Sequence, residues 1–238
     1  MILFSTIRQT FAHKALLMIA AALLVTGCTS SGSIYELSAN NAQSAPEQID
    51  YTVAYASVED DEIVLPAFDY SKMRERYLRQ EVQYFGREKP GSIVIDTTGP
   101  FLYYVKGNRT AIRYGIAVGR EGFEWDGDTV VNSKQHWPTW TPPKEMIART
   151  PSLQEFEKGM PPGIDNPLGA RAMYLFKDGK DTMYRIHGTN RPFSIGKNAS
   201  SGCFRMINQD VIDLYARVQP GSTVKVRHGL PPHEYGGV

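Results

Sequence analysis

The chain reads as a mainly β protein with one clear helix near its C-terminal end and a long irregular, lid-like insertion before it. Three observations predict this. Short β-branched and aromatic runs alternate with Gly- and Asn-containing turns from Ser92 to Val118. Residues 120–170 are rich in Gly, Pro and Trp. One apolar pattern of helical period follows, from Asn208 to Val218.

The first 27 residues read as an export signal. Arg8 and Lys14 make a positive start, and Ala15–Val25 is an apolar run too short to span a bilayer comfortably. The run ends in Leu24-Val25-Thr26-Gly27-Cys28. Small residues followed directly by cysteine resemble the lipobox of bacterial lipoproteins, which implies cleavage before Cys28 and a lipid on its thiol. An ordinary secretory signal, or an uncleaved anchor, is the alternative. Thr29 rather than Asp follows the cysteine, which resembles an outer-membrane sorting signal. The expected location is therefore the cell envelope, lipid-anchored and facing the periplasm.

Residues 28–90 read as a tether. Ser30-Ser-Gly-Ser and Ser38-Ala-Asn-Asn-Ala-Gln-Ser-Ala-Pro are small, polar and aperiodic. Within it, Met73, Tyr77, Leu78 and Val82 have roughly helical spacing and Ser71 can cap, which predicts a short helix over 71–85. The globular domain is expected at 91–228. Strands are read at Ser92–Asp96, Phe101–Val105 and Ala111–Val118, an antiparallel meander. The stretch from 120 to 170 includes Trp137-Pro-Thr-Trp140-Thr-Pro-Pro143 and Met160-Pro-Pro-Gly163, and long irregular loops of this kind often build sites. Strands return at Ala172–Phe176 and Thr182–His187. Asn208 is read as the cap of the helix, Asp210 as its acidic first turn, and Pro220-Gly221 as its end. Ser222–Arg227 closes the sheet, and 229–238 is an exposed tail.

About two hundred residues after the signal suffice for one domain with its own core. Lys and Arg number 26 against 25 Asp and Glu, a net charge of +1, so nothing points to nucleic acid. Two cysteines are present. With Cys28 lipidated, no second cysteine remains for an intramolecular disulfide with Cys203 in an oxidising compartment.

Cys203 lies in Ser200-Ser201-Gly202-Cys203-Phe204-Arg205-Met206, sixteen residues after His187. Cys203 can supply a nucleophile and His187 a base. Gly202 permits a tight turn and a close approach of a substrate carbonyl, with nearby N–H groups able to face an oxyanion. Arg205 can pair with a carboxylate. Buried cysteines and structural histidines are also common, and spacing alone leaves catalytic and structural roles open. A zinc site of His187, Cys203 and His228 or His233 lacks paired-ligand spacing. Trp125, Trp137 and Trp140 read equally as a lid or as core filling.

His187-Gly-Thr, Ser194-Ile-Gly196 and Ser200-Ser-Gly-Cys203-Phe-Arg205-Met, with Asn166-Pro-Leu-Gly169 upstream, resemble the L,D-transpeptidase catalytic domain, the YkuD family, over residues 91–227. The resemblance implies a β-sandwich or partly closed mixed sheet. It implies Cys203 as nucleophile, His187 as acid and base, and Gly188 as the carbonyl that orients the imidazole. It places Gly202 in the oxyanion hole and Arg205, Ser200, Ser201 and Thr189 at the substrate. Ser201 stands where the family usually has His. The implied reaction is acyl transfer on peptidoglycan stem peptides. Cys203 forms a thioester with release of D-Ala, and an amine from another stem or from an envelope protein's lysine resolves it, without metal or organic cofactor. The competing readings are hydrolysis of the thioester, as in a carboxypeptidase or amidase, and a non-catalytic envelope-binding lipoprotein.

Overall fold

In the computed structural model, residues 45–119, 125–199 and 202–230 are described. The expected signal, Cys28, Ser200, Ser201 and most of the tail lie outside them. Among the described residues, no helix is long and apolar enough to cross a membrane.

The meander is present: β4 (Ile93–Asp96), β5 (Phe101–Gly107) and β6 (Thr110–Gly115) pair antiparallel in sequence order. Both faces of these strands are buried. Ile93, Ile95 and Leu102 point into the main core, while Val94, Phe101, Tyr103 and Val105 form a second cluster on the other side. Two-sided burial explains why they read as continuous apolar runs rather than as an alternation. The returning strands are β9 (Arg171–Lys177) and β10 (Lys180–His187), and β13 (Thr223–Arg227) closes the sheet.

Eleven strands make one mixed sheet. From one edge the order is β11 (Asn198–Ala199), β7 (Ala117–Gly119), β12 (Phe204–Arg205), β10, β9, β8 (Gly127–His136), β13, β4, β5, β6 and β3 (Gln80–Gln83). The pairs β4–β13, β10–β12 and β7–β11 are parallel. A short hairpin, β1 (Val58–Asp60) and β2 (Ile63–Leu65), stands apart. The helices are α1 (Tyr51–Ala54), α2 (Lys144–Arg149) and α3 (Asn208–Arg217). Helix α3 lays Val211 and Leu214 on the sheet residues Met173, Leu175, Ile186 and Phe204, all fully buried.

Four expectations are corrected. Ten-residue β8 lies inside the stretch read as irregular. Its burial alternates only at Thr129 and Val131, flanked by polar and exposed positions, so it carries little apolar signal. Residues 71–85 are not a helix. Two single turns, Tyr70–Lys72 and Glu75–Tyr77, lead into β3, which pairs with β6 in the register Gln80↔Arg113 to Gln83↔Thr110. Sheet pairing outweighs the helical spacing there. The tether reading fails beyond Asp50, because this segment packs onto the domain expected at 91–228. Tyr55, Phe68 and Leu78 are buried in one cluster with Ala117, Ile195 and Ile207. Asn208 is not the cap of α3; that position belongs to Ile207, and the Asn208 side chain is used elsewhere.

Charge fixes the N-terminal segment to the domain. Arg171 on β9 makes a bidentate pair with Asp60. Arg79, just before β3, donates to Asp213 at 2.6 Å and lies 3.5 Å from Asp210, both on α3. Tyr55 accepts from the Arg79 N–H at 2.7 Å and donates to Asp210 at 3.3 Å. Burial pushes the Asp210 carboxyl up to about 7 against the pull of Arg79 and the Tyr55 hydroxyl.

The packing of this segment sets a test. Leu78→Ala should destabilise the protein by about 2–5 kcal/mol in urea unfolding, as for a core leucine; an unchanged midpoint would restore the tether reading.

Candidate active site

The site is assembled where β10 ends. Strand β12 runs beside β10 in the register Ile186↔Phe204 and His187↔Arg205. Side chains paired across a sheet point to one face, and they alternate along a strand. Ile186 and Phe204 fill the core, so His187 and Arg205 share the opposite face. Arg185 lies two residues before His187, and Cys203 two before Arg205. The nucleophile candidate thus lies directly before β12 and the base candidate at the end of the adjacent β10. Met206 N–H donates to the His187 carbonyl at 2.8 Å and locks the two backbones together.

His187 is buried, and its Nδ1 lies 2.6 Å from the Gly188 carbonyl oxygen. A carbonyl only accepts, so Nδ1 carries the proton and Nε2 is left with its lone pair. Burial pushes the imidazole down to about 4; the nearby Arg205 and Arg185 cations act in the same direction, and the Gly188 carbonyl pulls it back. At neutral pH the ring is therefore an uncharged base.

Cys203 is half-buried, and its Sγ lies 3.9 Å from the Met183 carbonyl oxygen. Gly202 directly before it is buried. Arg205 is half-buried. Burial holds its guanidinium below the usual value, the Cys203 sulfur pulls it up, and Arg191 pushes it down. Sulfur and guanidinium are therefore close enough to act on one another.

Thr189 is buried, and its hydroxyl accepts from the Arg191 N–H at 3.0 Å in the turn after His187. The residue that shapes this turn is Asn208. Its Oδ1 accepts from Ala170 N–H at 3.0 Å and from Thr189 N–H at 3.1 Å, and its Nδ2 donates to the Thr189 carbonyl at 3.0 Å. Gly169 and Gly188 flank this amide, and a Cβ on either would collide with Oδ1. Asparagine at a helix start reads locally as a cap; only the paired glycines hint at more.

The aromatic stretch divides. Trp137 is buried with Leu65 and Ala170. Trp125 stacks on Tyr184 of β10, centroids 4.7 Å apart and planes 14° apart. Trp140 bridges to Met160, and the buried Asn166 amide donates to the Pro138 and Pro161 carbonyls, which ties this stretch together. His228 meets Thr97 at the end of β13, 2.7 Å away, and His233 lies outside the described residues. Asp60, Asp61 and His136 bring ligand atoms within 4.8 Å of one another, but Asp60 is already committed to Arg171.

The family model of the L,D-transpeptidase catalytic domain matches residues 90–226. Among curated proteins, "Probable L,D-transpeptidase YcfS" of Escherichia coli is 36% identical over 132 residues, which is 52% of this chain and 39% of that protein. "Probable L,D-transpeptidase YbiS" of the same species is 37% identical over 139 residues, 56% and 43% of the two chains. The chain spans about two fifths of the length of these relatives. A solved Brucella melitensis structure, named as a probable carnitine operon oxidoreductase, is 51% identical over 65% of this chain and 96% of its own, with a TM-score of 0.46.

Two outcomes follow from this geometry. The unfolded His187 takes a proton near pH 6.5 and the folded one near 4. The neutral, folded form keeps its full advantage at pH 7 and loses it as pH falls from 6.5 through 4, on the order of 3 kcal/mol. Urea titrations across that window should show the loss, and His187→Gln should flatten it. Asn208→Ala strands three backbone groups and should cost at least about 3 kcal/mol, read by the same titrations at pH 7.

Proposed function

The chain belongs to the L,D-transpeptidase catalytic domain family, and on that premise we propose that it is a cysteine-dependent L,D-transpeptidase of peptidoglycan with Cys203 as nucleophile. One observation carries the assignment of roles. His187, neutral and held through Nδ1 by Gly188, shares a strand register and a sheet face with the Cys203–Arg205 segment.

In this reading Nε2 of His187 takes the thiol proton. The Cys203 sulfur attacks the carbonyl that joins meso-diaminopimelate to the terminal D-Ala of a tetrapeptide stem. Negative charge gathers on the carbonyl oxygen and is met by backbone N–H groups at Gly202 and Cys203. Collapse of the tetrahedral intermediate breaks the C–N bond. D-Ala leaves with the proton returned by His187, and a thioester remains on Cys203. An amine of a second stem then attacks the thioester carbon, His187 receives its proton, and the thiol is restored. The product is a 3→3 cross-link; a lysine amine of an envelope protein would instead give protein attachment.

Arg205 would hold a carboxylate of the stem. Its guanidinium is half-buried beside the nucleophile, and a partly desolvated cation binds a carboxylate better than one in free water. Ser200 and Ser201 are proposed as further substrate-binding residues. The lipidated Cys28 would anchor the enzyme to the envelope on the periplasmic side, the outer membrane before the inner.

The test is mass spectrometry of products from purified tetrapeptide muropeptides, with Cys203→Ala and His187→Ala in parallel. A dimer that has lost one D-Ala should form with the native chain and vanish with Cys203→Ala. His187→Ala should slow it by about two to four orders of magnitude. Tripeptide monomers alone would assign water as the acceptor, and an absence of any Cys203-dependent product would favour a binding protein.

A further inference from the structure

One feature beside the nucleophile is used neither by the core nor by the proposed chemistry. The pairing of β10 with β9 loses register between Asp181 and Arg185. At the centre of this bulge Met183 has φ +65°, in the left-handed region, with its side chain 73% exposed. A non-glycine residue there costs of order 1 kcal/mol or more, and an exposed side chain gains nothing in packing to offset it.

The neighbours enforce the conformation. Asp181 Oδ1 accepts from the Met183 N–H at 2.8 Å, and the same carboxylate grips Arg185 through two bonds of 2.7 and 2.8 Å. The Arg185 guanidinium lies over the Tyr174 ring, 4.4 Å from its centroid. Thr182 Oγ1 donates to the Leu175 carbonyl at 2.7 Å and accepts from the Tyr184 N–H at 3.2 Å. Tyr184 in turn is stacked on Trp125. Five consecutive residues are thus held by contacts whose common product is the direction of one peptide group. That group's oxygen, Met183 O, faces Cys203 Sγ at 3.9 Å, the length of a weak S–H···O bond. Bulges are a recurrent means of re-aiming a group beside a site.

We propose that the Asp181–Arg185 bulge is a positioning device for the nucleophile, with Met183 as the positioning residue whose backbone carbonyl orients the Cys203 thiol before its proton leaves. The inference rests on the reading of Cys203 as the nucleophile. The side chain at 183 is incidental in this account, and the backbone conformation is what matters. Glycine adopts a positive φ freely, whereas β-branched valine resists it.

The experiment compares Met183→Gly, Met183→Val and Asp181→Ala in the full chain, with D-Ala release from tetrapeptide muropeptides as the readout and Cys203→Ala alongside. Met183→Val and Asp181→Ala should each lower kcat about tenfold or more while KM stays within about twofold, the mark of a misplaced reacting group. Met183→Gly should retain about tenfold more kcat than Met183→Val. If Met183→Val fails to fold, Asp181→Ala against Met183→Gly decides. Native kcat in Met183→Val and Asp181→Ala, with Cys203→Ala inactive, overturns the bulge proposal alone. Equal losses in the Gly and Val variants also overturn it, since the side chain would then be the active part. Turnover by Cys203→Ala overturns the nucleophile assignment itself.

Discussion

The arrangement depends on one side-chain amide. Asn208 sits at the first turn of the helix that follows Cys203, yet its three hydrogen bonds all go to other segments: Ala170 just before β9, and both backbone polar groups of Thr189, two residues after His187. The amide is buried, so each bond is made away from competing water, and each partner would be left orphaned without it. The two glycines beside it are what allow the backbones to close around the oxygen. Helix, base and sheet are thereby set relative to one another by a single rigid group. Asn208 thus holds, through the Thr189 N–H, the same peptide group whose carbonyl meets Nδ1 of His187.

The other side of α3 is held by charge. Asp210 and Asp213 meet Arg79, Tyr55 reaches Asp210, and Gln209 donates to the Pro66 carbonyl at 2.9 Å. The segment that supplies these groups precedes the residues matched by the family model. The helix is thus clamped between an amide hub that belongs to the catalytic domain and a buried ion network contributed from outside it. Tyr77 extends the same logic: its ring lies against Gly196, where any side chain would collide. The glycine of the Ser194-Ile-Gly196 motif serves a contact with that N-terminal segment.

Much of this was legible in the residues. The meander, the returning strands, the closing strand and α3 follow from apolar runs bounded by turns, because both faces of those strands are buried. A local motif singles out Cys203 and His187 as candidates, and Nδ1 of His187 lies 2.6 Å from the Gly188 carbonyl oxygen. The misses share a cause. Strand β8 is central in the sheet but half polar. Residues 71–85 have helical spacing yet take their structure from β6, more than thirty positions away in some pairs. Asn208 has the residue type of a cap and spends its side chain at long range. In each case a non-local partner overrode a local preference, and a local reading has no access to that partner.

The strand order has two ends, and a bare sheet edge is where another chain could add a strand. One end is β3, four residues long and directly preceded by Arg79 of the α3 ion network. The other is β11, two residues long, in the loop that leads to Cys203. Neither offers the length of unpaired backbone that template-driven aggregation requires. The two residues of β11 are therefore a blunt end of the strand order, and insertions that lengthened them into a regular strand would expose an adhesive border in the same part of the fold as Cys203.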